Sequence, residues 1–167
     1  HQGRQRESRR QRQRCIRAGV QAALDTRFEN TGQACNAGKR VIVAEDLHDA
    51  FLARFTEKVL AMADGLAPLS SVAAAERLEE QVERAIADGA TFVSAGKRTG
   101  AYFPPGILTG VSPTSPSAAE ELFGPVAIVH RAGSEDEAGD LANGTPYGLG
   151  SYLFTTDPEQ AMRVADR

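Results

Sequence analysis

The chain has little cysteine, little histidine and no tryptophan, and the first two shortages exclude particular kinds of site. Its two cysteines, Cys15 and Cys35, are too few for a disulfide scaffold, and neither stands in a CxxC pair. The three histidines are scattered and show no zinc-ligand spacing with the cysteines. We therefore expect no metal site.

Long hydrophobic runs are missing as well. No segment approaches the roughly 20 apolar residues that a membrane span needs, and the N-terminal region lacks the apolar core of a secretory signal. The sequence thus predicts a cytoplasmic protein without membrane attachment. With 41% hydrophobic and 25% charged residues over 167 positions, its composition is typical of one globular domain.

Positive charge is concentrated in one place. Residues 1–17 hold seven arginines against Glu7, a local charge of +6, so residues 18–167 carry −9 within the overall −3. This basic low-complexity segment is rich in glutamine and shows no hydrophobic periodicity, which predicts that 1–17 is disordered or not native to the fold. The sequence does not favour nucleic acid as a partner, since no aromatic platform or DNA-binding pattern accompanies the charge.

Residues 18–167 alternate between helical and strand patterns. Apolar residues recur at helical spacing in 18–28, 47–62 and 78–86, and β-branched runs at 40–45 and 91–96 predict strands. Asp46 is the predicted cap of the second helix. Four prolines in the stretch 101–116 predict extended chain and loop.

The last third has the most regular pattern. "PVAIVHRAG" predicts a buried strand, Ser134 to Glu137 a capping box, "SYLFTTD" another strand, and Asp157 with Pro158 the start of a final helix. Strands and helices that alternate with short joints predict an α/β fold with an open, mostly parallel sheet flanked by helices. No stop signal follows the final helix before Arg167, so we expect the fold to be incomplete.

One of the two cysteines has a distinctive setting. "FENTGQACNAGKR", residues 28–40, places Cys35 in a short polar segment just before a predicted strand. A lone cysteine is commonly a small buried hydrophobe. In a turn rich in Gly, Asn and Gln, however, the sulfur can be exposed among backbone N–H groups that stabilise a thiolate and an oxyanion. No histidine is nearby in the sequence to act as a base, which argues against a protease-like Cys/His pair.

Two segments resemble signatures of the aldehyde dehydrogenase superfamily. "RFENTGQACNAGKRVIV" resembles its active-site cysteine signature, F-x-N-x-G-Q-x-C followed by a basic residue and a strand, and "EELFGPVAIV" resembles its E-E-x-F-G-P-V signature. The resemblance runs from about Ala18 to Arg167, and "NTGQAC.AGKR" and "YFPPGIL" are most similar to the NADP-using succinate-semialdehyde dehydrogenase branch. It implies a partial aldehyde dehydrogenase catalytic domain at 18–167.

The resemblance also implies a reaction and its residues. Cys35 matches the nucleophile of a reaction in which NADP or NAD oxidises an aldehyde, such as succinate semialdehyde, to the carboxylic acid through a thiohemiacetal and a thioester on the cysteine. Glu121 matches the glutamate that binds the nicotinamide ribose hydroxyls, and Phe123 the aromatic residue that packs near the nicotinamide of NADP or NAD. From the residues alone, Glu121 would be a solvated charge and Phe123 a core residue. Asn30 and Gln33 are expected to shape the turn.

Parts of the family pattern have no counterpart in the sequence. These are the cofactor-binding domain, an oxyanion-hole asparagine and an E-L-G-G segment whose glutamate activates water. We therefore expect the chain to belong to a larger, homo-oligomeric enzyme and to be inactive when isolated. Two alternatives stay open: a non-catalytic fragment that acts as an interaction module through exposed sheet edges, and a polyanion-binding protein that uses the basic segment.

Overall fold

A four-stranded sheet lies between helices in the computed structural model, which describes residues 2–166 and the side chains of residues 10–166. The strands are β1 (Arg40–Ala44), β2 (Thr91–Ser94), β3 (Gly106–Thr109) and β4 (Val126–Ala132), in the spatial order β1-β4-β3-β2. The helices are α1 (Gln2–Phe28), α2 (Glu45–Leu60), α3 (Val72–Ala87), α4 (Pro116–Ala119), α5 (Glu135–Asn143) and α6 (Pro158–Ala165), with 3-10 turns at Glu29–Gly32 and Ala63–Gly65.

The sheet is mostly parallel, which confirms the predicted fold class. β4 runs parallel to β1, with Arg40 opposite Ile128, and parallel to β3, with Gly106 opposite Val126. β2 is antiparallel to β3, and β3 itself was not predicted as a strand. The reason is the connection: no helix separates β2 from β3, and a parallel pair needs a crossover.

The central strand β4 explains how the core divides. Val126 and Ile128 point into a hydrophobic cluster with α3, whereas Ala127 and Val129 point into a second cluster with α1 and α2. Successive side chains of a strand face opposite sides of the sheet, so both faces of β4 are covered by helices. That burial accounts for its continuous apolar sequence from Val126 to Val129.

The basic segment is helical here, which differs from the expectation of disorder at 1–17, and the other expectation, that 1–17 is not native to the fold, stays a prediction. Residues 2–28 form one helix, and the described side chains at 10–14 are exposed, with Ile16 the first buried one. Ile16, Val20 and Leu24 share one buried face at helical spacing, so the anchored half can extend outward through arginine and glutamine, both good helix formers. Position 1 lies outside the described residues.

One segment predicted as loop forms a strand, and one segment predicted as a strand is irregular. Residues 106–109, predicted as loop, form β3 because the prolines flank this stretch and Ile107 and Leu108 are buried within it. Residues 151–157, predicted as a strand, have no regular structure, and Tyr152, Leu153 and Phe154 are about half exposed. A strand needs a paired neighbour, and the described residues provide none beside this segment.

Helix caps were predicted with mixed success. Ser134 accepts a hydrogen bond from Glu137 N, and Asp157 accepts from Glu159 N and Gln160 N, which confirms both predicted starts. Asp46 is not a cap, because α2 already begins at Glu45 after an extended Ala44. In the first turn, Asp46 still places negative charge where the helix dipole favours it.

The described residues include no helix with the length and hydrophobicity of a transmembrane span. α1 is long enough, at 27 residues, but it is too polar. Nor do these residues contain three or more His, Cys, Asp or Glu side chains grouped as metal ligands.

Candidate functional site

The sheet topology brings the two signature segments together. β1 follows the Cys35 segment and β4 follows the segment Glu121–Gly124. Because β1 and β4 are parallel neighbours, the residues that precede them meet at the same edge of the sheet. A hydrogen bond from Ile128 N to Lys39 O, 3.1 Å long, continues the pairing up to this edge.

The chain turns sharply between α1 and Cys35. Asn30, Thr31 and Gly32 all have left-handed backbone conformations, with φ of 49°, 58° and 73°. Such values are uncommon for residues other than glycine and, in a β-branched threonine, mark a constrained turn. α1 ends at this turn, and Gly32 lies against Gly124 in the segment before β4, so Cys35 follows the turn rather than lying on a continued helix.

Side chains hold this turn in place. Asn30 Nδ2 donates to Gln33 O at 3.1 Å, and Gln33 Oε1 accepts from Ser70 N at 2.8 Å. Thr31 Oγ1 donates to Ala67 O at 3.1 Å. The structure thus agrees with the expectation that Asn30 and Gln33 shape the turn, and it adds Thr31.

Cys35 is exposed at the surface of the following turn, which a 3.1 Å hydrogen bond from Ala37 N to Ala34 O closes. The interpretation of Cys35 as a small buried hydrophobe is therefore wrong. An exposed sulfur at a tight turn is accessible to a small reactant, which nucleophilic chemistry requires.

Lys39 links Cys35 to the other predicted site residues. Its Nζ donates to the carbonyl oxygens of Ala34 and Cys35 at 2.8 and 2.9 Å, and forms a 2.8 Å ion pair with Glu121 Oε1. The same ammonium lies 5.6 Å from the centre of the Phe123 ring. This role of Lys39 was not predicted, because its only signal in the sequence is that a basic residue follows the cysteine signature.

Glu121 and Phe123 are both accessible from solvent. The Glu121 side chain is 32% exposed, and Phe123 is 45% exposed, so Phe123 is not the core residue that its type alone would suggest. Gln81 Nε2 donates to the backbone oxygen of Glu121 at 3.2 Å, which attaches this segment to α3. The three predicted site residues therefore lie together on one accessible surface.

Arg27 supports this surface from below. Its guanidinium is fully buried, and its Nη2 donates to Leu122 O at 2.7 Å and to Gly124 O. Burial lowers the pKa of Arg27 to about 9, and the negative charge of Glu121 partly opposes that shift. Arg27 is still protonated at neutral pH, so a buried cation at the end of α1 holds the segment before β4. Nothing in its local sequence distinguishes it from the other arginines.

A groove of the described chain lies elsewhere. It runs between α1 and α2 and is lined by Gln21, Leu24, Asp25, Phe28, Glu29, Lys58 and Met62. That lining includes none of the three predicted site residues. Chemistry at Cys35 would therefore take place on the surface that the two signature segments form together.

Comparison with known proteins identifies the fold family. The sequence model of the aldehyde dehydrogenase family matches residues 16–167, nearly the whole chain. The chain belongs to the aldehyde dehydrogenase family. The match begins at Ile16, which is also the first buried residue among the described side chains.

Named members of the aldehyde dehydrogenase family resemble the chain closely. A succinate-semialdehyde dehydrogenase [NADP(+)] from Deinococcus radiodurans is 46% identical over 159 residues, which are 89% of this chain and 33% of that enzyme. A succinate semialdehyde dehydrogenase [NAD(P)+] from Escherichia coli is 36% identical over 91% of this chain and 35% of that enzyme. The chain spans about a third of the length of these relatives.

Solved structures of the family share the fold. Succinate-semialdehyde dehydrogenase from Burkholderia pseudomallei superimposes with a TM-score of 0.85 at 34% identity, covering 90% of this chain and 34% of the other. Lactaldehyde dehydrogenase from Escherichia coli gives 0.83 at 33% identity, with the same coverage of both chains. These structures confirm the sheet and its flanking helices as an incomplete aldehyde dehydrogenase fold.

Proposed function

We propose that the protein containing this chain oxidises an aldehyde to a carboxylic acid with NADP or NAD, and that Cys35 is the nucleophile. The observation that carries the proposal is the arrangement at the sheet edge, where an exposed Cys35 lies in a constrained turn that Lys39 joins to Glu121 and Phe123. Membership of the family supplies the reaction class.

The chemistry at Cys35 follows from its accessibility. Its thiolate adds to the aldehyde carbonyl, a C–S bond forms, and the carbonyl oxygen becomes an oxyanion that backbone N–H groups of the turn can stabilise. The resulting thiohemiacetal carries the hydrogen that is removed as hydride, which leaves a thioester on Cys35. Water then releases the carboxylic acid and restores the thiol.

Glu121 and Phe123 fit a nicotinamide cofactor. Lys39 occupies one carboxylate oxygen of Glu121, and no group among residues 10–166 hydrogen-bonds the other, which can accept a ribose hydroxyl. The half-exposed ring of Phe123 offers a flat apolar surface beside it. The cofactor, when bound, supplies the hydride acceptor; this chain contributes the groups that hold its ribose and limit the position of its ring.

Succinate semialdehyde is the proposed substrate. The two relatives named for this activity, at 46% and 36% identity, support it, while the structure of lactaldehyde dehydrogenase at 33% identity makes lactaldehyde the alternative substrate. An aldehyde panel that includes both compounds, assayed with NADP and with NAD, would choose between them.

We also propose that the active form is a cytoplasmic homo-oligomer and that the isolated 167-residue chain does not turn over. The matched region is about a third of the relatives' length. In addition, five large side chains at 147–154 are about half exposed or more, which is typical of a surface covered in the complete protein: Tyr147, Leu149, Tyr152, Leu153 and Phe154.

The deciding experiment is a nicotinamide-reduction assay of the full-length protein that contains these residues. We expect aldehyde-dependent reduction in the unmodified protein and in Cys15→Ser, and its loss in Cys35→Ser. Cys15 is the matched control because it is the other cysteine of the chain and is only partly exposed. Activity that survives in Cys35→Ser would refute the role of Cys35, and an inactive unmodified protein would refute the proposed reaction.

A further inference from the structure

One ammonium group satisfies three oxygens from the two signature segments. Lys39 Nζ has three donor hydrogens, and it contacts the carbonyl oxygens of Ala34 and Cys35 and the Oε1 oxygen of Glu121, all within 2.9 Å. The side chain of Lys39 is only 15% exposed. Shielding from water makes such charge-assisted hydrogen bonds stronger than those of a solvated lysine.

The neighbouring ion pair has no comparable arrangement. Arg84 contacts the carboxylate of Glu120 at 3.0 Å, and its side chain is 53% exposed. Among the described residues, Arg84 donates only to this carboxylate, so it joins α3 to a single side chain. An exposed ion pair of this kind contributes little to the stability of the fold.

We infer that Lys39 is a positioning residue that fixes the Glu121 carboxylate relative to the turn of Cys35. The inference rests on the proposed function of these two residues. The backbone of Lys39 is also held, because its carbonyl oxygen accepts from Ile128 N at the start of the β1–β4 pairing. Residue 39 is therefore fixed at its main chain and at the end of its side chain. This arrangement keeps the distance between the Cys35 turn and the Glu121 carboxylate constant.

Removal of Lys39 would act on both segments at once. The turn would lose two hydrogen bonds to its carbonyl oxygens, and Glu121 would lose the partner that orients its carboxylate. A purely structural lysine would instead change stability and leave thiol reactivity and cofactor binding as they were.

Alkylation of the chain tests the first consequence without any enzyme activity. In the Cys15→Ser background, Cys35 is the only thiol, and its rate of modification by iodoacetamide can be followed by mass spectrometry. We expect Lys39→Met to change the rate of this reaction at least about threefold at neutral pH, because the Cys35 turn loses two of the hydrogen bonds that hold it. Lys39→Arg should restore most of the rate, and Arg84→Met should leave it unchanged.

Steady-state kinetics of the full-length protein test the second consequence. Lys39→Met should raise KM for the nicotinamide cofactor at least about fivefold, with a much smaller change in KM for the aldehyde. Circular dichroism would check that the variant is folded, and Lys39→Gln, whose uncharged amide keeps two donor hydrogens, replaces Lys39→Met if it is not.

The outcomes separate the inference from the proposed function. An unchanged alkylation rate in folded Lys39→Met, or an unchanged cofactor KM, would overturn the role of Lys39. If the unmodified full-length protein reduces no nicotinamide with any aldehyde, the proposed function is wrong, and the alkylation rates alone then decide whether Lys39 acts on the Cys35 turn.

Discussion

Gly32 and Gly124 approach each other so closely that a Cβ atom on Gly32 would overlap the carbonyl oxygen of Gly124. The two glycines belong to the two signature segments, 92 positions apart in the sequence. Arg27 reinforces the approach, because its guanidinium donates to that same carbonyl oxygen. The surface that carries Cys35 and Glu121 therefore depends on two backbones in contact.

Gly32→Ala should destabilise the chain by at least about 3 kcal/mol, or prevent folding. The methyl group would meet backbone, which cannot rotate away, and alanine is strained at a φ of 73°. Gly100→Ala is the control, since Gly100 has a similar φ of 59° but open space around it, so it should lose only about 1–2 kcal/mol. Urea unfolding measures both, and equal losses would show that the contact with Gly124 does not matter.

Ser134→Ala should lower the free energy of unfolding by about 1 kcal/mol. Its hydroxyl accepts a 3.1 Å hydrogen bond from Glu137 N at the start of α5, and alanine leaves that N–H without its cap. Ser151→Ala, at an exposed position in irregular chain, is a matched control that we expect to be neutral. A neutral Ser134→Ala in the same thermal-unfolding series would contradict the capping argument.

How far the sequence predicts this fold depends on whether the signal is local. The strand at 126–132 and the caps at Ser134 and Asp157 follow from contiguous residues, and the structure contains them. The strand at 106–109 was missed because the flanking prolines dominate the pattern. Residues 151–157 have a strand-like composition but lack a neighbour among the described residues, and pairing is a property of the fold rather than of the segment.

Only some residues of the candidate site could be predicted from the sequence. Cys35, Glu121 and Phe123 came from signature positions, and the parallel pairing of β1 with β4 explains why segments so distant in sequence meet. Lys39 and Arg27 could not be singled out, because their importance lies in which carbonyl oxygens they reach. Contacts of that kind are set by the tertiary fold, whereas a sequence pattern records only the residue type.

Iodoacetamide should modify Cys35 several-fold faster than Cys15. Cys35 is exposed on a turn, while Cys15 is partly covered on α1, and alkylation requires access to the sulfur. Peptide mapping by mass spectrometry at short reaction times would give both rates in one sample. Denaturant supplies the control, since both rates should become similar once the chain is unfolded. Faster modification of Cys15 in the native chain would mean that the Cys35 turn is not open to small reactants.

His130 should make the folded chain lose stability in mild acid. Burial within β4, and secondarily the positive charge of Arg40, lower the pKa of His130 below its ordinary value of 6.5. As the pH falls through 6.5, the unfolded chain therefore binds a proton that the folded chain does not. The free energy of unfolding then decreases by at most about 1.4 kcal/mol per pH unit, until the pH reaches the folded-state pKa.

His130→Gln should remove this dependence, because glutamine does not titrate in that range. Unfolding by urea at several values between about pH 7.5 and 5.5 would compare the two proteins where most carboxylates remain ionised. We expect the slope of unfolding free energy against pH to be smaller in His130→Gln, even if the variant is less stable throughout. Since the other buried histidine, His48, lies on α2 and is retained in both proteins, the difference between the slopes reports on His130 alone. Identical slopes would place the acid sensitivity in other groups and would contradict the assignment to this strand.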